Sequence, residues 1–115
     1  MIEVNHYIKK GSNAVEKQSG GELDMTEVSG YVSRVMTGVM TAHPNDCTET
    51  FVTSVRSTPE DVTFHANTAA IIIFTYQGED TLTWQDWYEF QVRDDDERRE
   101  AGRTLADAYA AVLLN

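Results

Sequence analysis

The sequence predicts an α+β domain in which two amphipathic helices pack on one face of an antiparallel sheet. Segments with a period of two, typical of strands, accompany two segments at helical spacing. Short turn-forming stretches join several of the strand-like segments, as in an antiparallel meander. The 115 residues, 41 % of them hydrophobic, can form one core but not two. We therefore expect a single acidic domain over 1–115, with four to five strands in the order β-α-β-β-β-β-α.

The first two segments differ in their apolar content. Residues 2–8 place Ile2, Val4, His6 and Ile8 on one side of an alternating pattern, which predicts a strand. Residues 9–22 contain several Gly and Ser residues and few apolar ones, so they predict a flexible loop.

A helix is expected next. Asp24 and Glu27 have the spacing of a capping box, in which each side chain bonds to the other residue's backbone amide. Pro44 disfavours helical geometry in the residue before it, so the helix should end near His43. The apolar stripe of this helix comprises Met25, Val28, Val32, Val35, Met36 and Val39.

The middle of the chain predicts strands joined by turns. Alternation recurs over 48–56 and 62–66, and a Pro-containing turn over 57–60 separates the two segments. Residues 69–76 are apolar on both faces and predict the central, most buried strand. A further turn is expected over 77–80.

Residues 81–93 fit either a strand or a helix. A bulged strand is favoured, because it collects Leu82, Trp84, Tyr88, Phe90 and Val92 on one face with Asp86 as the exception. The same period turns Trp87 to the other face.

The last segment predicts the second helix. Asp94 and Glu97 again have capping-box spacing, and four consecutive acids lie where the helix dipole stabilises negative charge. The apolar stripe consists of Ala101, Leu105, Ala108, Tyr109, Val112 and Leu113.

The charge is unevenly distributed. The net charge is −10, and residues 58–115, with twelve acids and four bases, contribute −8 of it. Such a field repels nucleic acid and anionic membranes and favours a basic protein surface as partner. The composition leaves open whether the acidity serves binding or only solubility in water or high salt, and whether the chain forms a homodimer.

No group of residues matches a catalytic, cofactor or metal motif. His43, Asp46 and Cys47 are close in sequence, but His6 and His65 fall on different predicted strands, and zinc requires three or four ligands at defined spacing. An acidic environment would also raise the pKa of the Cys47 thiol. We expect no enzymatic activity, no cofactor and no metal. A single cysteine and the lack of a signal peptide or long apolar run favour a cytoplasmic protein.

The candidate partner-binding residues are acids of the C-terminal half and one tryptophan. Trp87 is expected to project outward among carboxylates and to anchor an arginine-rich surface. The full set is Glu79, Asp80, Asp86, Trp87, Glu89, Asp94, Asp95, Asp96, Glu97 and Glu100.

Three functions follow as hypotheses. The first is a non-enzymatic protein that binds a basic surface of a nucleic-acid-binding protein, most concretely a phage- or mobile-element-type inhibitor of a defence machine that imitates nucleic acid. The second is a structural subunit, such as a phage tail or adaptor ring component. The third is a small ligand-binding or enzymatic fold with an internal pocket lined by Tyr31, Phe64, Phe74 and Trp84.

Overall fold

A five-stranded antiparallel sheet with two helices forms the fold, which confirms the predicted α+β class. In this computed structural model, the described residues are 1–11, 14–53, 66–77 and 83–114. The strand order in the sheet is β2-β1-β5-β4-β3. The elements are β1 Ile2–Lys10, β2 Glu16–Leu23, α1 Val28–Ala42, β3 Cys47–Thr53, β4 Thr68–Gln77, β5 Thr83–Gln91 and α2 Asp95–Leu113.

The predicted loop over 9–22 is wrong at both ends, because residues 9 and 10 continue β1 and residues 16–22 belong to the edge strand β2. Its backbone pairs with β1 from Ile2 opposite Leu23 to Ile8 opposite Glu16. Every residue of β2 except Leu23 is exposed, so the strand carries no apolar alternation for a sequence pattern to detect. Over the described residues the element order is therefore β-β-α-β-β-β-α. The predicted strand over 62–66 and the turn over 57–60 lie outside the described residues, as does most of the turn over 77–80.

Both predicted helix caps are confirmed, the first as a full capping box and the second as the hydrogen bond to the Asp94 side chain. The Asp24 carboxylate accepts hydrogen bonds from the backbone amides of Thr26 and Glu27, and the Glu27 carboxylate accepts from the Asp24 amide at 3.0 Å. A 3₁₀ turn, Met25–Glu27, leads from this cap into α1. Asp94 caps α2 by accepting from the Glu97 amide at 2.8 Å.

Both helices pack on the same face of the sheet, which we call the helix face. Their predicted stripes contribute buried residues to one core with alternate residues of β1, β4 and β5, except that Leu113 of the α2 stripe is exposed. The predicted helix end near His43 is confirmed. The fully buried or nearly buried helix residues are Val28, Val32 and Met36 of α1 and Ala101, Leu105 and Ala108 of α2.

The strand prediction for 81–93 is confirmed over Thr83–Gln91, but the bulge predicted in this strand is wrong. The strand predicted to be central, over 69–76, is β4. It is buried on both faces as predicted, but it is not central, because β5 occupies the middle position of the sheet. The register shift lies between Thr68 and Ala70 of β4, and β5 pairs with β1 without interruption.

Candidate functional site

The predicted site residues divide into three groups. Glu79 and Asp80 lie outside the described residues. Three others lie within β5 and are largely buried. The remaining five, at 94–97 and 100, lie at the exposed start of α2.

Trp87 is packed inside the fold, so its predicted outward position is wrong. Its side chain is 8 % exposed and belongs to a second cluster with Val52, Ile71 and Ile73 on the sheet face opposite the helices. The indole Nε1–H donates to Gln85 Oε1 at 2.8 Å. The period of two correctly places Trp87 on the face of β5 opposite Trp84. That opposite face is also packed, so Trp87 is buried.

Two of the predicted surface acids are interior groups of the sheet. Glu89 is 3 % exposed and accepts hydrogen bonds from the hydroxyls of Thr68, at 3.1 Å, and Tyr7, at 3.5 Å. The Asp86 carboxylate lies 2.8 Å from His6 Nε2, and its side chain is 17 % exposed. Neither acid is available as a surface charge, and both sites are occupied by partners within the chain.

Asp86 belongs to a polar cluster on the helix face that the sequence did not reveal. The His6 ring stacks on Tyr88 with centroids 4.4 Å apart and planes 6° apart. The Tyr76 hydroxyl donates to Asp86, and burial together with this carboxylate raises the pKa of Tyr76 far above its ordinary range. Burial, followed by the charge of Asp86, raises the pKa of Tyr88 to about 12. The cluster forms because β1 and β5 pair with His6 opposite Tyr88, a register that only the folded sheet defines.

Residues 43–47 connect the end of α1 to the start of β3. The His43 ring packs on Tyr76 with a centroid distance of 4.4 Å, and its Nδ1 lies 3.3 Å from the Asp46 carboxylate. Burial and then the neighbouring carboxylates, Glu49 first, raise the pKa of the Cys47 thiol to about 11. Within the described ranges, no three His, Cys, Asp or Glu side chains are grouped so that they could hold a metal ion.

Carboxylates from both halves of the chain meet at one end of the molecule. The registers Ile2 opposite Leu23 and Glu3 opposite Gln91 bring together the start of β1 and the ends of β2 and β5, and both helices begin close to these strand ends. We call this region the acidic end. Its carboxylates are Glu3, Glu22, Asp24, Glu27, Asp94, Asp95, Asp96 and Glu97.

Several charged groups at the acidic end form ion pairs or hydrogen bonds with neighbouring residues. The Met1 amino group lies 2.9 Å from Glu97, and that carboxylate together with Glu22 and Asp24 raises the pKa of the amine. Arg98 donates to the Val92 carbonyl at 2.9 Å and pairs with Asp95. These contacts leave an excess of negative charge, because the acids outnumber the cations there.

The acidic surface does not extend along the whole of α2. A groove of about 1130 Å³ runs between α2 and β3, floored by the stacked rings of Phe51 and Tyr109. Three arginines and three carboxylates line it, so its formal charge is balanced. These residues are Arg98, Arg99, Arg103, Glu49, Asp95 and Asp107.

Among the described helices, none has the length and apolar character needed to cross a membrane. Comparison of the chain with protein-family models, curated proteins and solved structures found no match.

Proposed function

We propose that this chain is a non-enzymatic interaction protein whose acidic end binds a basic surface on a partner protein. The observation that carries the proposal is the convergence of eight carboxylates, contributed by β1, β2 and the starts of both helices, at one end of the fold. Negative charge concentrated in this way accelerates encounter with a basic partner and selects against acidic ones.

Helix capping accounts for part of this charge but not for all of it. Asp24 and Asp94 satisfy backbone amides, and acids near a helix N-terminus are stabilised by its dipole. Glu3 and Glu22 have no such role, since they are cross-strand neighbours in β1 and β2. Like charges placed directly opposite one another destabilise a strand pair, so this pair supports a role in binding over a role in folding.

In its most specific form, the proposal takes the partner to be a nucleic-acid-binding protein. A groove that binds nucleic acid makes many of its contacts to phosphates, and exposed carboxylates can occupy the same cationic positions. An inhibitor of a restriction or CRISPR-type defence machine, of phage or mobile-element origin, would act in this way. Solubility in water or in high salt is the competing explanation for the acidity, and it predicts no dependence on where the charge lies.

Charge reversal at the acidic end tests the proposal. Glu3→Lys with Asp96→Lys reverses two exposed carboxylates of the acidic end and leaves both helix caps intact. Glu16→Lys with Asp107→Lys makes the same change of four charge units at exposed positions elsewhere on β2 and α2. We expect the wild type and the second variant to retain the same nucleic-acid-binding proteins from a host lysate at about 50 mM salt, and the first variant to lose them.

Two outcomes would contradict this function. One is a partner that remains bound to the Glu3→Lys, Asp96→Lys variant in about 500 mM salt, because electrostatic binding is strongly screened there. The other is equal loss of the partner in both variants, which would make net charge, and not the acidic end, responsible.

A competition experiment tests the more specific form. If the partner binds the acidic end through its own nucleic-acid-binding groove, added duplex DNA should displace the partner.

A further inference from the structure

The outer edge of β2 is open. In the described part of the chain β2 pairs with β1 alone, and seven of its eight residues are exposed. The outward backbone N–H and C=O groups of an edge strand form a template on which another strand can pair. A strand that is polar on both faces and contains glycine specifies its register weakly, so it accepts a strand of another chain more easily.

Lys17 and Glu22 of β2 project from the same face of the sheet, the one opposite the helices. Their neighbours in β1 are Tyr7 and Glu3, which alternate with the residues of the helix face. The number of steps from Lys17 to Glu22 is odd, which in a regular strand would put the two side chains on opposite faces. The register shift between β1 and β2 leaves Gln18 as an extra residue, and this bulge restores the shared face.

The middle of β2 leaves room for close approach on that face. Gly20 has no side chain, and Lys17 extends over it, because a Cβ atom at Gly20 would lie 3.4 Å from both Cε and Nζ of Lys17. Within the described part of the chain, Lys17 has no ion-pair partner. An exposed ammonium group near the centre of the edge strand can therefore pair with a carboxylate of another chain.

We propose that β2 pairs with β2 of a second copy of this chain, antiparallel about a two-fold axis at Gly20, so that the two sheets become continuous. This axis sets Gly20 opposite Gly20, and Ser19 opposite Gly21 of the other copy. The bulge adds one residue on one side of the axis, so Lys17 lies opposite Glu22 of the other copy, on the face that both share. The two-fold symmetry repeats each contact, and the interface therefore contains this ion pair twice.

The charges favour a second copy in this orientation. Glu22 lies opposite Glu3 within the chain, a like-charge pair that destabilises the pairing of β1 with β2. Lys17 of the second copy lies on the other side of Glu22 and offsets that repulsion. Parallel pairing in register would instead place Glu22 beside Glu22. The antiparallel arrangement also directs the two acidic ends away from each other, which limits repulsion between chains that each carry a net charge of −10.

Sedimentation equilibrium tests whether the dimer forms. We expect the mass to rise from 12.9 kDa towards twice that value as the protein concentration increases from about 10 µM to about 1 mM in about 150 mM salt. Charged side chains and bulges also protect edge strands from pairing, and that role predicts a monomer at every concentration.

Charge reversals test the ion pair. Lys17→Glu and Glu22→Lys each place like charges opposite one another, so each should weaken the dimer at least about tenfold. The two substitutions change the net charge by two units in opposite directions, so repulsion between whole chains would weaken the dimer in one and strengthen it in the other. The double variant, Lys17→Glu with Glu22→Lys, restores the pair with its signs exchanged and should dimerise within about threefold of the wild type.

A matched control separates position from charge. Asp107→Lys makes the same change of charge as Glu22→Lys at an exposed position of α2, and it should not weaken the dimer.

Disulfide formation tests the register. In a Cys47→Ser background, chains carrying Ser19→Cys are mixed with chains carrying Gly21→Cys. The two thiols should lie opposite each other in the dimer, so the mixed disulfide should form in excess over both symmetric ones. A Cβ atom at Gly21 meets no other atom within 4 Å, so the structure accommodates this substitution.

The proposal is overturned if the chain stays monomeric over the whole concentration range, or if Lys17→Glu dimerises like the wild type. It is also overturned if Glu22→Lys tightens the dimer, if the double variant does not restore it, or if the mixed disulfide does not form in excess. Lys17→Glu leaves every carboxylate of the acidic end in place. Binding of a basic partner is decided separately, with the Glu3 and Asp96 variants.

Discussion

At the residue scale, β5 shows what a period of two can and cannot predict. The alternation correctly separates Trp84, Tyr88 and Phe90 from Trp87. It does not reveal whether the second face is covered, and that face packs Trp87 into a cluster and buries Glu89. Trp87 and Glu89, both expected on the surface, are therefore interior groups, because the exposure of a strand face depends on what packs against it.

The buried position of Trp87 predicts a loss of stability on truncation. Trp87→Ala should lower the free energy of unfolding by about 3–5 kcal/mol, because it removes a large side chain from a packed cluster and leaves a void. Trp87→Phe should cost less, since an aromatic ring stays in place. Urea unfolding at neutral pH measures both changes. A Trp87→Ala variant as stable as the wild type would contradict the packed position.

At the element scale, capping residues in the sequence located the start of both helices, whereas the sequence of β2 has no pattern that predicts a strand. Capping-box spacing marked the start of α1 and of α2, because a local hydrogen bond determines a helix start within a few residues of sequence. β2 forms through backbone pairing with β1, and its exposed polar side chains contribute no pattern. An edge strand of this kind is defined by its neighbour and not by its own composition.

The cap of α2 gives a prediction at this scale. Asp94→Ala should lower the free energy of unfolding by about 1 kcal/mol, because the Glu97 amide loses its acceptor. Asp94→Ser can accept the same hydrogen bond and should be closer to the wild type. Asp96→Ala, which changes an exposed acid in the first turn without removing the cap, serves as the control in urea unfolding. Equal effects of Asp94→Ala and Asp96→Ala would assign the loss to charge and not to capping.

At the scale of the whole molecule, groups from β3, β4 and β5 make the fold sensitive to alkali. Burial and nearby carboxylates raise the pKa of Cys47 from 9.0 to about 11 and that of Tyr88 from 10.0 to about 12. The pKa of Tyr76 is raised further in the same direction. Each group is neutral in the fold at a pH where the unfolded chain would ionise it.

The sign of the pH dependence follows from these shifts. Groups with a raised pKa stabilise the fold fully below their unfolded values and lose that contribution as the pH rises through their folded values. The free energy of unfolding should therefore fall between about pH 9 and about pH 12, as measured by urea unfolding at each pH. Tyr88→Phe keeps the stack on His6 without an ionisable hydroxyl and should show a smaller fall. Constant stability over this range would contradict the buried positions of these groups.

The sequence by itself determined the fold class, both helices with their caps and buried stripes, and the strands of residues 2–8, 48–53, 69–76 and 83–91, because these depend on local hydrogen bonds and apolar periodicity. It also placed four consecutive acids at the start of α2, where the structure has them. The tertiary structure alone decided the presence of β2, the burial of Trp87 and Glu89 and the pairing of His6 with Asp86. It also gathered Glu3, Glu22 and Asp24 beside the start of α2. Each of these features depends on which strands are neighbours and in which register they pair. Such pairing joins residues far apart in the chain, and the local sequence around one residue does not indicate its distant partner.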